Sequence, residues 1–163
     1  IRTRIMKLAP TLKGGLRIDA DSLEDWMVLD AICADAASLP GAPLYDRLSE
    51  KMAKDPDWEE FVAPDIRSQF SDQIAHVSRA ISSAPMDEDQ AGSIFISKED
   101  APLWYGALNQ ARISLEQVFQ LSELDEFEDL DDLGDIGEEK RSAVIRGHFY
   151  SYFQCLLLEY VLE

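Results

Sequence analysis

The sequence predicts a mainly α fold: a compact bundle of about five helices with a small N-terminal β-hairpin and a third short strand that can join it. Two observations carry this reading. Apolar residues recur at steps of three and four through most of the chain, the spacing of a helix with one buried face. At the N-terminus two short apolar-basic runs flank Lys13-Gly14-Gly15, and Gly-Gly supplies the positive φ angles of a tight reversal. No internal repeat or flexible linker divides the 163 residues, so the expectation is a single domain over 1–163. Its parts are a β-hairpin over 1–19, a helical core over 22–121, an acidic connector over 122–139 and a closing buried helix over 140–162.

The elements follow in order. Ser22, with Asp25 three residues on, reads as a capping box, and Leu23, Trp26, Leu29, Cys33 and Ala37 continue at helical spacing toward Leu39-Pro40-Gly41. Leu44, Leu48 and Met52 mark a short second helix, which Asp55-Pro56-Asp57 breaks ahead of Trp58, Phe61 and Val62. After Pro64, the residues Ile66, Phe70, Ile74, Val77 and Ile81 step by 4, 4, 3 and 4, the cleanest amphipathic helix in the chain. Ile94-Phe95-Ile96 is the candidate third strand. Ser97 and Asp100 offer another cap, and Trp104, Leu108, Ala111, Leu115 and Val118 form the seam of a central helix. The last helix begins near Glu138, carries Ile145, Phe149, Tyr152, Leu156 and Tyr160 and becomes apolar on most sides, so it is expected to be the most buried element.

Composition narrows the function. With 46% hydrophobic and 29% charged residues the chain is ordinary globular material, and a domain this long buries enough surface for one real core. Against 15 Lys and Arg stand 32 Asp and Glu, a formal charge of -17 that repels phosphate backbones and argues against nucleic-acid binding by the whole domain. No stretch approaches the ~18 apolar residues of a membrane span, so a soluble, cytoplasmic protein with no membrane partner is expected. Cys33 and Cys155 lie far apart inside apolar helical patterns and read as inert core thiols. The hairpin bases Arg2, Arg4, Lys7, Lys13 and Arg17 meet only Asp19; this one basic patch reads as a charged edge that keeps a small sheet from pairing with another, ahead of an anion site.

Catalytic and metal signatures are sparse. His76 and His148 form no His-x-x-x-His pair, and a zinc site takes three or four clustered ligands. The chain lacks a Gly-x-Ser-x-Gly elbow, a phosphate-cradling loop and a dinucleotide fingerprint. No catalytic, cofactor-binding or metal residue is therefore assigned, and the balance leans away from an enzyme. The frame Asp129 to Gly134 matches a calcium loop at its first, third and sixth positions but places Leu133 fifth and Lys140 twelfth, too few oxygens for a strong site. Within the acidic stretch, Leu124, Phe127 and Leu130 are spaced every three residues. They either pin a solvated connector or dock it onto a basic, apolar groove of a partner.

One polar constellation stands out. Asp30 projects between Trp26, Cys33 and Ala37, and Tyr105, Asn109, Arg112 and Glu116 flank the central seam. A buried carboxylate needs a partner, so Asp30 or a neighbouring acid is expected to pair with Arg112 while Asn109 completes the hydrogen bonds. That cluster is either a core pair fixing helix register or a site for a small anionic ligand.

The run Trp104, Ala107, Leu108, Asn109, Arg112, Leu115 resembles a bacterial domain-of-unknown-function family, DUF2017. The wider layout is similar too, a Gly-containing hairpin, an early long helix and a closing helix rich in Tyr and Leu, over about 14 to 162. Gln110 and Glu116 replace the acidic residue and the Gly usual in that motif. The resemblance implies no established activity, cofactor or catalytic residue. Members' genes often neighbour the gene for the substrate-selecting adaptor of the Clp protease, which implies a partner in that adaptor or its chaperone. The expected function is a non-enzymatic binding or regulatory module linked to Clp proteolysis. The alternatives are an enzyme or anionic-ligand binder around Arg112, and a weak divalent-cation binder using the acidic segment.

Overall fold

The computed structural model describes residues 6–37, 50–52, 55–121 and 137–162. At its N-terminal end, β1 (Lys7–Pro10) and β2 (Leu16–Ala20) form an antiparallel hairpin that places Leu8 opposite Ile18. Gly14 turns the chain with φ +85°, and Gly15 is required by space, since a Cβ there would collide with the Ile96 carbonyl oxygen. The expected third strand is present: β3 (Gly92–Ile96) pairs antiparallel with β2, giving the order β1-β2-β3. Alternation then sorts the side chains. Leu16, Ile18, Ala20, Ile94 and Ile96 are buried on the inner face. Arg17 lies on the outer face with its Nε 3.1 Å from Asp19, whose carboxylate also accepts a 2.7 Å hydrogen bond from the Ser93 hydroxyl.

Helix α1 (Leu23–Ala37) starts as its cap requires. The Asp25 amide donates to the Ser22 hydroxyl at 3.2 Å and the Asp25 carboxylate accepts from the Asp21 amide at 3.0 Å, which satisfies a buried acid. The stretch Trp58–Val62 winds as one wide π-helical turn and runs directly into α2 (Ala63–Ser82), with Pro64 in the first turn. These residues therefore extend α2 instead of standing apart from it. The short helix expected over Leu44, Leu48 and Met52 falls almost wholly outside the described residues. Four helices, not about five, are present among the described residues. Along α2 only Val77 and Ile81 of the apolar series are buried, while Ile66, Phe70 and Ile74 are half-covered.

Helix α3 (Ala101–Phe119) is the centre of the fold and packs against α1, α2 and α4 (Glu138–Tyr160). Trp104, Ala107, Leu108, Ala111 and Leu115 are buried on it, and the Trp104 ring stacks on Phe153 with centroids 5.7 Å apart. Val118, the last residue of the expected seam, is exposed.

The closing helix begins at Glu138, where the sequence reading places its start: Gly137 at φ +86° turns the chain, and two acids then favour the positive end of the helix dipole. It differs from its expectation in two ways. Its buried side is Ala143, Val144, Tyr150, Phe153, Gln154 and Leu157, rotated from the expected seam; Tyr152 and Tyr160 of that seam are exposed. It is also less buried than α3, which sits between three helices and has neighbours on more sides.

Candidate interaction surface

Helix α1 carries four acids, Glu24, Asp25, Asp30 and Asp35, and no base. Successive residues turn by 100°, so these acids point in different directions and meet different fates. Asp25 caps its own helix. Asp35 turns inward to α4, and Glu24 and Asp30 face solvent.

Behind α1, Asp35 closes a network with the last helix. Arg146 Nε donates to Asp35 Oδ2 at 2.8 Å and Nη2 to Oδ1 at 3.2 Å, the two-point geometry that guanidinium and carboxylate favour. The Tyr150 hydroxyl donates to Oδ2 at 2.6 Å, and Arg146 Nη1 donates to the Ser142 hydroxyl at 2.6 Å. Burial of Tyr150, then the Asp35 charge and hydrogen bond, hold its phenol protonated far above the usual range. For Arg146 burial acts to lower the pKa, but the hydrogen bond and charge of Asp35 outweigh it and the net shift is upward. The result is a closed polar clamp between helices.

On its outer side α1 presents Leu23, Met27 and Asp30, at steps of four and three along one stripe, with Glu24 beside them. Leu23 is 54% and Met27 61% exposed, so two apolar side chains one turn apart stand in water on this side of the helix. Trp26 borders this stripe, and its indole Nε1 donates to the Gln90 carbonyl at 2.7 Å. That bond anchors the loop 83–91, which Asp87 shapes by accepting from the Asp89 and Ala91 amides at 2.9 and 3.0 Å. Gly92 lets the Pro85 carbonyl and the Trp26 ring close on the same point. The loop held to Trp26 through Gln90 carries Met86, 56% exposed, and the exposed acids Asp87, Glu88 and Asp89.

The residues singled out from sequence fall as follows. Asp30 is exposed, not buried between Trp26 and Cys33, because the buried side of α1 is centred on Trp26, Leu29, Ile32 and Ala36. Its charge reaches Cys33, whose thiol is pushed up to about 11 by burial first and Asp30 second. The Cys33 sulfur lies 3.7 Å from the Ile74 carbonyl. Arg112 is exposed and donates from Nη1 to Gln154 Oε1 at 2.5 Å, while Gln154 Nε2 donates to the Tyr105 carbonyl at 3.2 Å. Asn109 is exposed, and its neighbour Gln110 is the buried amide, donating to Gln73 at 2.8 Å and to the Phe70 carbonyl at 3.2 Å. No hydrogen bond or ion pair joins Asp30, Asn109 and Arg112. Cys155 is exposed rather than a core thiol, since α4 turns it away from Gln154 and Leu157.

Sequence reasoning missed the Asp35 clamp. Its legible half was the four-residue spacing of Ser142, Arg146 and Tyr150 on one side of α4. Leu124, Phe127, Leu130 and the frame from Asp129 lie outside the described residues. Among the described residues no group of three His, Cys, Asp or Glu could hold a metal, and no helix is long and apolar enough to cross a membrane.

Fold and surface define a mainly helical domain built on a three-stranded antiparallel sheet, with an acidic, methionine-bearing face on its first helix. The chain belongs to the family described as a domain of unknown function, DUF2017, whose model matches residues 3–161. Neither the curated proteins nor the solved structures contain a significant match to it.

Proposed function

We propose that this protein is a non-enzymatic binding or regulatory module whose partner belongs to the Clp proteolytic system, either the substrate-selecting adaptor or its chaperone. The observation that carries a binding role is the division of labour on α1. Asp35, the inward acid, is engaged by Arg146 and Tyr150, which ties the helix to α4 while its apolar-acidic stripe stays open. Leu23 and Met27 form a short apolar ridge in water that a partner can cover. The gene neighbourhood implied by the family supports the choice of partner.

The test is retention of purified adaptor and chaperone subunits on the immobilised protein at low salt. Wild type is compared with a variant carrying Leu124→Ser, Phe127→Ser and Leu130→Ser and with a second carrying Leu23→Ser and Met27→Ser. Retention by wild type is the expected result, and the variant that loses it names the contacting surface. Failure of every subunit to be retained by folded wild type overturns the Clp assignment.

A further inference from the structure

We infer that the outer stripe of α1 with the Met86 loop is a docking site for a cationic amphipathic helix of a partner protein; this rests on the binding-module reading above. Three properties of the surface select that occupant. The first is its shape. Leu23 and Met27 are one helical turn apart on a regular helix, so their ridge fits side chains that recur every three or four residues on an opposing helix.

The second is its chemistry. Met27 and Met86 are 61% and 56% exposed, and methionine is the apolar side chain that adapts to differently shaped partners. The third is its charge. Glu24 and Asp30 on α1, and Asp87 to Asp89 on the flanking loop, are all acidic, on a chain of formal charge -17. Such a rim attracts Lys and Arg beside an apolar stripe and speeds their encounter. The same rim repels other occupants. A second copy would set acid against acid, and anionic lipid or nucleic acid would meet the same field.

The probe is a synthetic, fluorescein-labelled peptide of Leu and Lys arranged at helical spacing. Its controls are a scrambled peptide of identical composition and an amphipathic Leu-Glu peptide. Fluorescence anisotropy is read at low and physiological salt with the full chain. The scrambled control matters because an acidic protein binds any polycation weakly; the helical arrangement is what the surface recognises.

Expected is binding of the Leu-Lys helix at least about tenfold tighter than its scramble, with no binding of the Leu-Glu peptide. Leu23→Ser with Met27→Ser removes that preference and leaves the residual, salt-sensitive affinity of the scramble. Glu24→Gln with Asp30→Asn weakens binding and flattens its salt dependence. A map of backbone amide shifts on the wild-type protein gives the second readout, with the largest changes expected on α1 and residues 83–91. Equal affinity for helix and scramble, or shifts centred on another surface, overturns the proposal. So does a preference that survives in a folded Leu23→Ser/Met27→Ser variant. If wild type and that variant retain a Clp subunit equally while the peptide shows no preference, this surface is refuted and the binding-module reading stands.

Discussion

Asp35 on α1 and Arg146 on α4 stand 111 residues apart in the chain and meet through two hydrogen bonds, Nε to Oδ2 at 2.8 Å and Nη2 to Oδ1 at 3.2 Å. The two side chains retain only 14% and 19% of their surface in water. A pair this enclosed is costly to break from one side, because the remaining charge keeps its desolvation penalty without its partner. Arg146→Met alone, or Asp35→Leu alone, is expected to destabilise by about 3 kcal/mol, and the double variant by much less than the sum. Urea unfolding of the four proteins in a double-mutant cycle measures this. Additive losses would show that the pair contributes no coupling.

Alkaline pH attacks the same clamp. Burial and Asp35 raise the Tyr150 pKa, so above about pH 10 the unfolded chain releases the phenolic proton while the native one keeps it. This contribution is fully present below pH 10 and declines above it, with a slope approaching about 1.4 kcal/mol per pH unit. Cys33, pushed up to about 11, adds a shallower decline that starts nearer pH 9. Urea midpoints from pH 8 to 11 should fall for wild type. Tyr150→Phe should start lower by about 1 kcal/mol for the lost hydrogen bond but decline less steeply above pH 10. Cys33→Ala should flatten the earlier part of the curve.

The two thiols should separate kinetically. Cys155 is exposed, whereas Cys33 is half-covered with a raised pKa, and the thiolate is the reactive form. A disulfide reagent at neutral pH should modify Cys155 quickly and Cys33 slowly, with Cys33 catching up in denaturant. Equal rates in the native state would contradict the burial of Cys33.

Gln120 closes α3 in the left-handed region, at φ 55° and ψ 51°, while its amide donates to the Glu116 carbonyl at 2.8 Å. Glycine adopts this conformation without a Cβ clash and is the favoured residue at such helix ends. Gln120→Gly is expected to stabilise the fold by roughly 0.5–1 kcal/mol, read as a higher midpoint in thermal unfolding.

What the sequence determined by itself is whatever depends on neighbours within about four residues. Ser22 announced the start of α1 and Gly14 the hairpin reversal. The 4, 4, 3, 4 steps from Ile66 to Ile81 locate α2, and the apolar run at Ile94 to Ile96 marks a strand. The faces were another matter. Helix α4 is apolar around most of its circumference, so periodicity chose Ile145, Phe149, Tyr152, Leu156 and Tyr160, a side adjacent to the one the core covers. Tertiary structure settled the rotation through Asp35, which draws Arg146 and Tyr150 inward and carries Phe153 onto Trp104. The same limit separates Asp30 from Asp35 and Asn109 from Gln110. Each pair offers similar chemistry on one helix, and only the position of α2, α3 and α4 decides which member turns inward. A residue's direction is set by what packs against its helix from far along the chain, and local spacing carries no record of that partner.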